Sequence, residues 1–157
     1  MSLIQINNGD SGLDARGKIN DAFTAVDTLA STSWTSTGTG DTTDETETTI
    51  WTWTIESPGT QVGYNVMTIR ASVVGYCPND GGKAYGAELF ATFHCQAPGT
   101  MTQIGTTDIV EKTSFSTATS HLSIGDGSSI IFTVTGEASK YIKWNAEFRT
   151  MMTDYID

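Results

Sequence analysis

The stretch Val62–Cys95, "VGYNVMTIRASVVGYCPNDGGKAYGAELFATFHC", decides the fold. Two long alternating runs flank "CPNDGGK" (Cys77–Lys83), whose Pro, Asn, Asp and Gly residues favour a turn. With that turn centred on Asp80, Met67 faces Phe93, Ile69 faces Ala91, Ala71 faces Leu89 and Val73 faces Ala87. All eight residues are apolar and share one face. Arg70 opposite Phe90 and Ser72 opposite Glu88 occupy the other. A slip of one residue would turn the apolar set outward, so the register is strongly specified.

The same pattern continues downstream. "MTQIGTTDIVEKTSFS" (Met101–Ser116) reads as a strand with a bend at Gly105, and "ATSHLSI" (Ala118–Ile124) as another. "GDGS" (Gly125–Ser128) is a tight turn. "SIIFTVTG" (Ser129–Gly136) turns Ile130, Phe132 and Val134 inward. In "KYIKWNAEFRTMMT" (Lys140–Thr153), Ile142, Trp144, Ala146, Phe148 and Met152 point inward, and Lys143, Asn145, Glu147 and Arg149 outward. Upstream, "TIWTWTI" (Thr49–Ile55) places Trp51, Trp53 and Ile55 on one face and Ile50, Thr52 and Thr54 on the other. Strands of this length at hairpin spacing predict a mainly β protein, an antiparallel β-sandwich of jelly-roll type over residues 50–157.

The hairpin register also separates the two cysteines. Cys77 falls at the turn and Cys95 at the far end, about 40 Å apart at roughly 3.3 Å per residue. A disulfide between them within one chain is not expected.

Residues 32–49, "TSWTSTGTGDTTDETETT", carry one aromatic, Trp34, among Thr, Ser, Gly and acids. No period survives there, and the segment reads as an acidic linker or surface loop. Asp41, Asp44, Glu45 and Glu47 offer oxygens for calcium, although the spacing of an EF-hand loop is absent. Residues 1–31 read as a short N-terminal α-helix. Ile19, Ala22, Val26 and Leu29 recur at 3-4-3 spacing, widened by Phe23, with Asp10 or Ser11 as N-cap. Two heptads are too few for an isolated coiled coil. The stripe Ile19, Ala22, Phe23, Val26, Leu29 packs either on its own domain or around an oligomer axis.

Charge and motifs exclude several functions. Eighteen acids against eight bases give a net charge of −10, which repels phosphates, so binding to nucleic acid or to an anionic membrane is not expected. No apolar run approaches the about 20 residues of a membrane helix, so no membrane insertion is expected, and "MSLIQINNGD" lacks the parts of a secretory signal. Gly9-Asp10-Ser11-Gly12 matches the string around a chymotrypsin-like serine, but only ten residues precede Ser11, so the string reads as a turn and helix cap. His94 and His121 lack the spacing of a zinc site, and Glu88, Glu111 and Glu137 are scattered, against glycoside hydrolysis. No catalytic residue, metal or cofactor is expected. The hairpin loop offers Asn79, Asp80, Lys83 and Tyr85 as a receptor contact, since polar groups beside a ring suit a sugar. Tyr85 shares parity with Ala87 and Leu89, however, which favours the core. Tyr64, Tyr76 and Tyr141 fall on outward parity as alternative contacts.

"INNGDSGLDARGKINDAF" resembles a segment of tail-fibre and other virion proteins of tailed bacteriophages. The matching residues are Gly9-Asp10, Leu13, Arg16, Lys18-Ile19-Asn20 and Phe23. "TVTGEAS" followed by "YIKWNAEFR" is similar to the end of phage fibre head domains. The resemblance implies a non-enzymatic homotrimer, assembled in the host cytoplasm into the virion. Its N-terminal part would attach to other virion proteins, and its β head would meet a host glycan or protein or serve as decoration. A chain this short has no repetitive shaft, so a tail-tip, baseplate or capsid-surface protein fits better than a long fibre. A carbohydrate-binding or adhesin module of a bacterial surface is the alternative, and a hydrolase the third expectation.

Overall fold

A computed structural model of the chain describes residues 33–54, 65–97 and 100–153. The chain divides into two units, Met1–Ser33 and Trp34–Asp157. The expected N-terminal helix, with Ile19, Ala22, Phe23, Val26 and Leu29, lies outside the described residues, as does Tyr64.

Eight strands follow one another: β1 (Ser33–Thr42), β2 (Glu47–Thr54), β3 (Asn65–Tyr76), β4 (Ala84–Ala97), β5 (Thr100–Thr113), β6 (Thr119–Ile124), β7 (Ser129–Thr135) and β8 (Ile142–Thr153). They form a five-stranded sheet in the order β1-β8-β3-β4-β5 and a three-stranded sheet in the order β2-β7-β6. The two sheets enclose one apolar core, a β-sandwich. Pairing β1 with β8 and β2 with β7 nests the chain ends as a jelly roll does. β3, β4 and β5 instead run as a meander in one sheet, so the strands divide five and three.

The hairpin pairs as its pattern requires: Met67 with Phe93, Ile69 with Ala91, Ala71 with Leu89, Val73 with Ala87, and Asn65 with Cys95 at the far end. β8 lies on the other side of β3, with Phe148 opposite Ala71 and Trp144 opposite Gly75. The inward residues Ile130, Phe132, Val134, Ile142, Trp144, Ala146 and Phe148 are all buried, and Met152 is partly so. Cys77 is a buried free thiol.

The segment 32–49 corrects the sequence reading. It is not a linker: Ser33–Thr42 is an edge strand of the large sheet, and Glu47 already opens β2. Its inward positions are Trp34, Ser36, Gly38, Gly40 and Thr42, mostly small residues with no apolar period of their own. They are small because β2 and β8 supply the bulk. A Cβ on Gly38 would stand 2.6 Å from the Ile50 carbonyl oxygen and 3.0 Å from the Trp51 Cβ. Trp34 stacks on Trp53 with ring centroids 6.2 Å apart. Trp51 Nε1 donates to Ser36 Oγ (3.0 Å), and Trp144 Nε1 donates to Thr42 Oγ1 (2.9 Å). The indole N–H groups of Trp51 and Trp144 thus both find an acceptor on β1.

β2 carries a second correction. The register with β7 shifts between Thr49 and Trp51, which leaves Ile50 as an extra residue. Ile50 and Trp51 both pack against the core, instead of facing opposite ways as strict alternation requires.

Phe148 joins the two sheets. Its ring stacks on Trp51 at 4.3 Å and meets Phe132 edge-on at 5.1 Å. Phe148→Ala is expected to cost about 3–5 kcal/mol in a urea melt, from lost burial and the cavity left behind. Thr150, on the same strand, is buried, and its hydroxyl has no hydrogen-bond partner among the described residues. Thr150→Val keeps the shape and removes that orphan, so it is expected to raise stability by about 1 kcal/mol. A lower melting midpoint for that variant would show that the hydroxyl is satisfied.

Candidate functional site

The hairpin-tip residues Asn79, Asp80, Lys83 and Tyr85 do not converge on one surface. The turn is closed by Lys83 N–H donating to the Asp80 carbonyl (3.2 Å) and by Cys77 N–H donating to the Lys83 carbonyl (3.1 Å). Gly81 and Gly82 take positive φ between them. Asn79 is exposed. Tyr85 is 2 % exposed, because it alternates in step with Ala87 and Leu89 on the core face. Its ring meets Trp144 edge-on at 5.3 Å. Its hydroxyl donates to Glu111 Oε2 (2.9 Å) and shares a second hydrogen bond with Ser120 Oγ (2.8 Å). Burial, above all, pushes the Tyr85 phenol up to about 12. The core place, not the receptor contact, is the one the structure gives Tyr85. Tyr76 is exposed, and the Tyr141 hydroxyl donates to Asp41 Oδ2 (2.8 Å).

Asp80 and Lys83 belong to an ion network that closes one end of the sandwich. Lys140 Nζ lies 2.6 Å from Asp80 Oδ2, and Lys83 Nζ lies 3.1 Å from Glu137 Oε1 and 3.8 Å from Asp80. Glu137 Oε2 also accepts the Ser116 N–H (2.6 Å). Three loops, after β3, β5 and β7, are held together this way.

The acids of residues 41–47 separate as well. Asp44 accepts the Thr46 N–H (2.8 Å) within its own turn, Asp41 serves Tyr141, and Glu47 Oε1 accepts from Thr133 Oγ1 (2.5 Å). Among the described residues no three metal-ligating side chains gather into a group. Glu88, Glu111 and Glu137 lie in three different places: Glu88 pairs with Arg70 at 2.8 Å on the outer face of the large sheet. His94 is on β4 and His121 on β6.

A cavity of about 270 Å³ opens where β5, the edge of the large sheet, passes β6, the edge of the small one. A bulge lies beside it. The β4–β5 register shifts between Phe90 and Thr92, whose partners are Asp108 and Ile104, so three residues of β5 stand opposite Ala91 alone. Gly105 takes φ 71°, a conformation that a side chain would strain. Thr107, at the end of the bulge, donates to the Leu122 carbonyl (3.0 Å) and accepts from Gln103 Nε2 (2.9 Å), which stitches β5 to β6. The cavity is lined by Leu89 and Leu122, both buried on the core side, by the exposed Ile109, and by Glu47, His121 and Ser123, which the register places on the outer face of the three-stranded sheet. The Gly105 bend was legible in the sequence. The meeting of Glu47, His121 and Ser123 was not, since they come from β2 and β6 with the central strand β7 between them. No hydrogen bond joins His121 to Glu47 or to a serine among the described residues.

The ion network sets a pH dependence. Asp80 is held below its ordinary 3.8, first by the Lys140 hydrogen bond, and Glu137 below its ordinary 4.5, first by the Ser116 N–H. Both bind a proton less readily folded than unfolded. Their stabilisation is therefore complete above the ordinary values and fades as pH falls through the depressed ones. The urea midpoint is expected to be lower at pH 3 than at pH 7, and the drop to be smaller in Lys140→Met. Equal drops in the two proteins would show that the Lys140–Asp80 pair contributes nothing.

No family model matches this sequence, and no curated protein does. Among solved structures, the tailspike protein of Acinetobacter baumannii phage AM24 is similar over 82% of this chain, with 4% identity and a TM-score of 0.45. The tailspike protein of Acinetobacter phage vB_ApiP_P1 is similar over 79%, with 15% identity and a TM-score of 0.36. This chain spans 28% and 22% of their lengths. Overlaps of that quality carry nothing about what this chain does.

Proposed function

We propose that this chain is a non-enzymatic surface protein of a tailed-phage virion, at the tail or on the capsid. It assembles with itself as a homotrimer through the outer face of its five-stranded sheet and presents the β head for host contact or decoration. The observation that carries this is the set of exposed large hydrophobic residues on the outer face of that sheet, interspersed with charged ones. Eight large hydrophobic residues stand exposed among the described residues, and seven lie there: Val66, Val74 and Tyr76 on β3, Phe90 on β4, Ile104 and Val110 on β5, and Met151 on β8. Met151 is 67 % and Val110 70 % exposed. Apolar side chains gathered on one face mark a surface that is covered in the working assembly. From Val66 to Tyr76 over four strands, the face measures roughly 600 Å² at usual strand spacings. A standard interface takes about 800 Å² from each partner.

Charge supports a second copy as the cover. The outer face of β8, β3, β4 and β5 carries Arg70, Lys112, Lys143 and Arg149 against Glu88, Asp108 and Glu147. The other described residues carry two bases against eight acids. One face is near neutral with cations to spare, while the remaining surface is acidic. A head-to-tail contact between two such different patches makes a ring when its rotation closes, and a three-fold rotation closes into the trimer proposed. The segment "GDSGLDARGKINDAF" supplies the phage half of the proposal.

Mass measurement of the full chain in solution is expected to give a trimer. Phe90→Asp with Met151→Asp is expected to yield a folded monomer, because both side chains lie outside the core. A wild-type monomer at micromolar concentration would overturn assembly through this face and favour the adhesin-module alternative. Deleting residues 1–31 is expected to weaken the trimer without unfolding the sandwich. Unchanged mass after the deletion would remove Ile19, Ala22, Phe23, Val26 and Leu29 from the interface.

A further inference from the structure

We infer that the hairpin-tip half of the large sheet's outer face receives the acidic β1–β2 turn of the next copy in the trimer. The inference rests on the assembly reading above and names the two surfaces that meet in the head-to-tail contact.

The receiving patch spans four strands. Near the end of β3, Val74 and Tyr76 stand 59 % and 51 % exposed. Lys143 on β8 is the register partner of Tyr76, and Lys112 on β5 lies across Gly86 from Val74. The lysines thus flank the apolar pair, on strands three spacings or about 14 Å apart. The other cations of this face are engaged, Arg70 with Glu88 and Arg149 with Glu147. Lys112 and Lys143 are in no ion pair among the described residues.

Gly86 leaves a dip between Val74 and Lys112. A Cβ there would meet nothing within 4 Å, and Gly86 is not among the glycines of positive φ. The chain's own fold therefore does not call for a glycine at this place. Gly75, one strand away, is the contrast, since its missing Cβ makes room for Trp144. A glycine inside a strand weakens it, and it suits a place where another backbone comes close.

The turn between Thr42 and Glu47 has the matching character. Asp44 and Glu45 are both exposed there. Asp44 accepts the Thr46 N–H on Oδ1, and Glu45 makes no hydrogen bond or ion pair among the described residues. The turn stands at the same end of the sandwich as Lys143, because Trp144 and Tyr141 hydrogen-bond to Thr42 and Asp41. A three-fold axis along the strands sets equal heights of neighbouring copies against each other. Acids at the tip end then meet lysines at the tip end. Charge also selects this arrangement over a two-fold one, in which the patch would set lysine against lysine and the turn acid against acid.

Sedimentation of the full chain over a dilution series reads the concentration at which the trimer dissociates. Lys112→Glu with Lys143→Glu is expected to raise that concentration about tenfold or more, because like charges then face each other. Adding Glu45→Lys to that chain is expected to lower it again, whereas Glu45→Lys alone raises it. Gly86→Leu is expected to keep the sandwich, as judged by circular dichroism, and to block the trimer. Lysine and glycine variants that leave the trimer intact, while Phe90→Asp with Met151→Asp breaks it, would overturn this docking and keep assembly through the face. No recovery on adding Glu45→Lys would overturn the pairing of turn and patch. A wild-type monomer would overturn both readings.

Discussion

The sandwich depends on large rings of one strand meeting small residues of its neighbours. Phe148 and Trp144, two turns of the pleat apart on β8, fill the space between the sheets. Phe148 lies between Trp51 and Phe132, and Trp144 presses on Gly75 and hydrogen-bonds to Thr42. A Cβ on Gly75 would stand 2.7 Å from the Trp144 ring, so the indole can reach this depth only over a glycine. The same rule shapes β1, whose Gly38 and Gly40 leave room for Trp51 and Ile50. Close packing of this kind tolerates little change in volume, which gives the aromatic and glycine positions joint control of the sheet spacing.

Polar groups finish the ends and edges that the apolar core cannot hold. Asp80, Lys83, Glu137 and Lys140 bind three loops at one end. Asp126 accepts from Ser128 and Ser129 in the β6–β7 turn. The edge strand β5 is managed differently, with a bulge whose Thr107 hydrogen-bonds to Leu122 on β6. Edges and bulges are where sheets most often acquire binding functions, since they break the regular ladder and re-aim side chains.

Much of the site was hidden in the sequence for a geometric reason. Glu47 reads as the last of four acids near the end of a polar stretch, and His121 as a lone histidine. They line one cavity only because β2 and β6 both pair with β7. Tyr85 shows the opposite case. Its parity already placed it with Ala87 and Leu89, and burial follows from that parity. The strand β1 escaped sequence reading because its core-facing side is serine, glycine and threonine. Hydrophobic periodicity detects strands that bring their own bulk, and β1 borrows its bulk from Trp51, Trp53 and Trp144.

By itself the sequence determined the β class, the β3–β4 register, the inward residues of β7 and β8, and the separation of the two cysteines along the hairpin. Each of these rests on local alternation and on turn chemistry, which act between residues near in the chain or joined by one tight turn. Tertiary structure alone decided the partition into five and three strands, the strand at Ser33–Thr42, the doubled inward pair Ile50–Trp51, the outer apolar face and the β5–β6 cavity. Those features depend on which strand lies beside which, and that is fixed by packing across the core between residues as much as a hundred positions apart, such as Thr42 and Trp144.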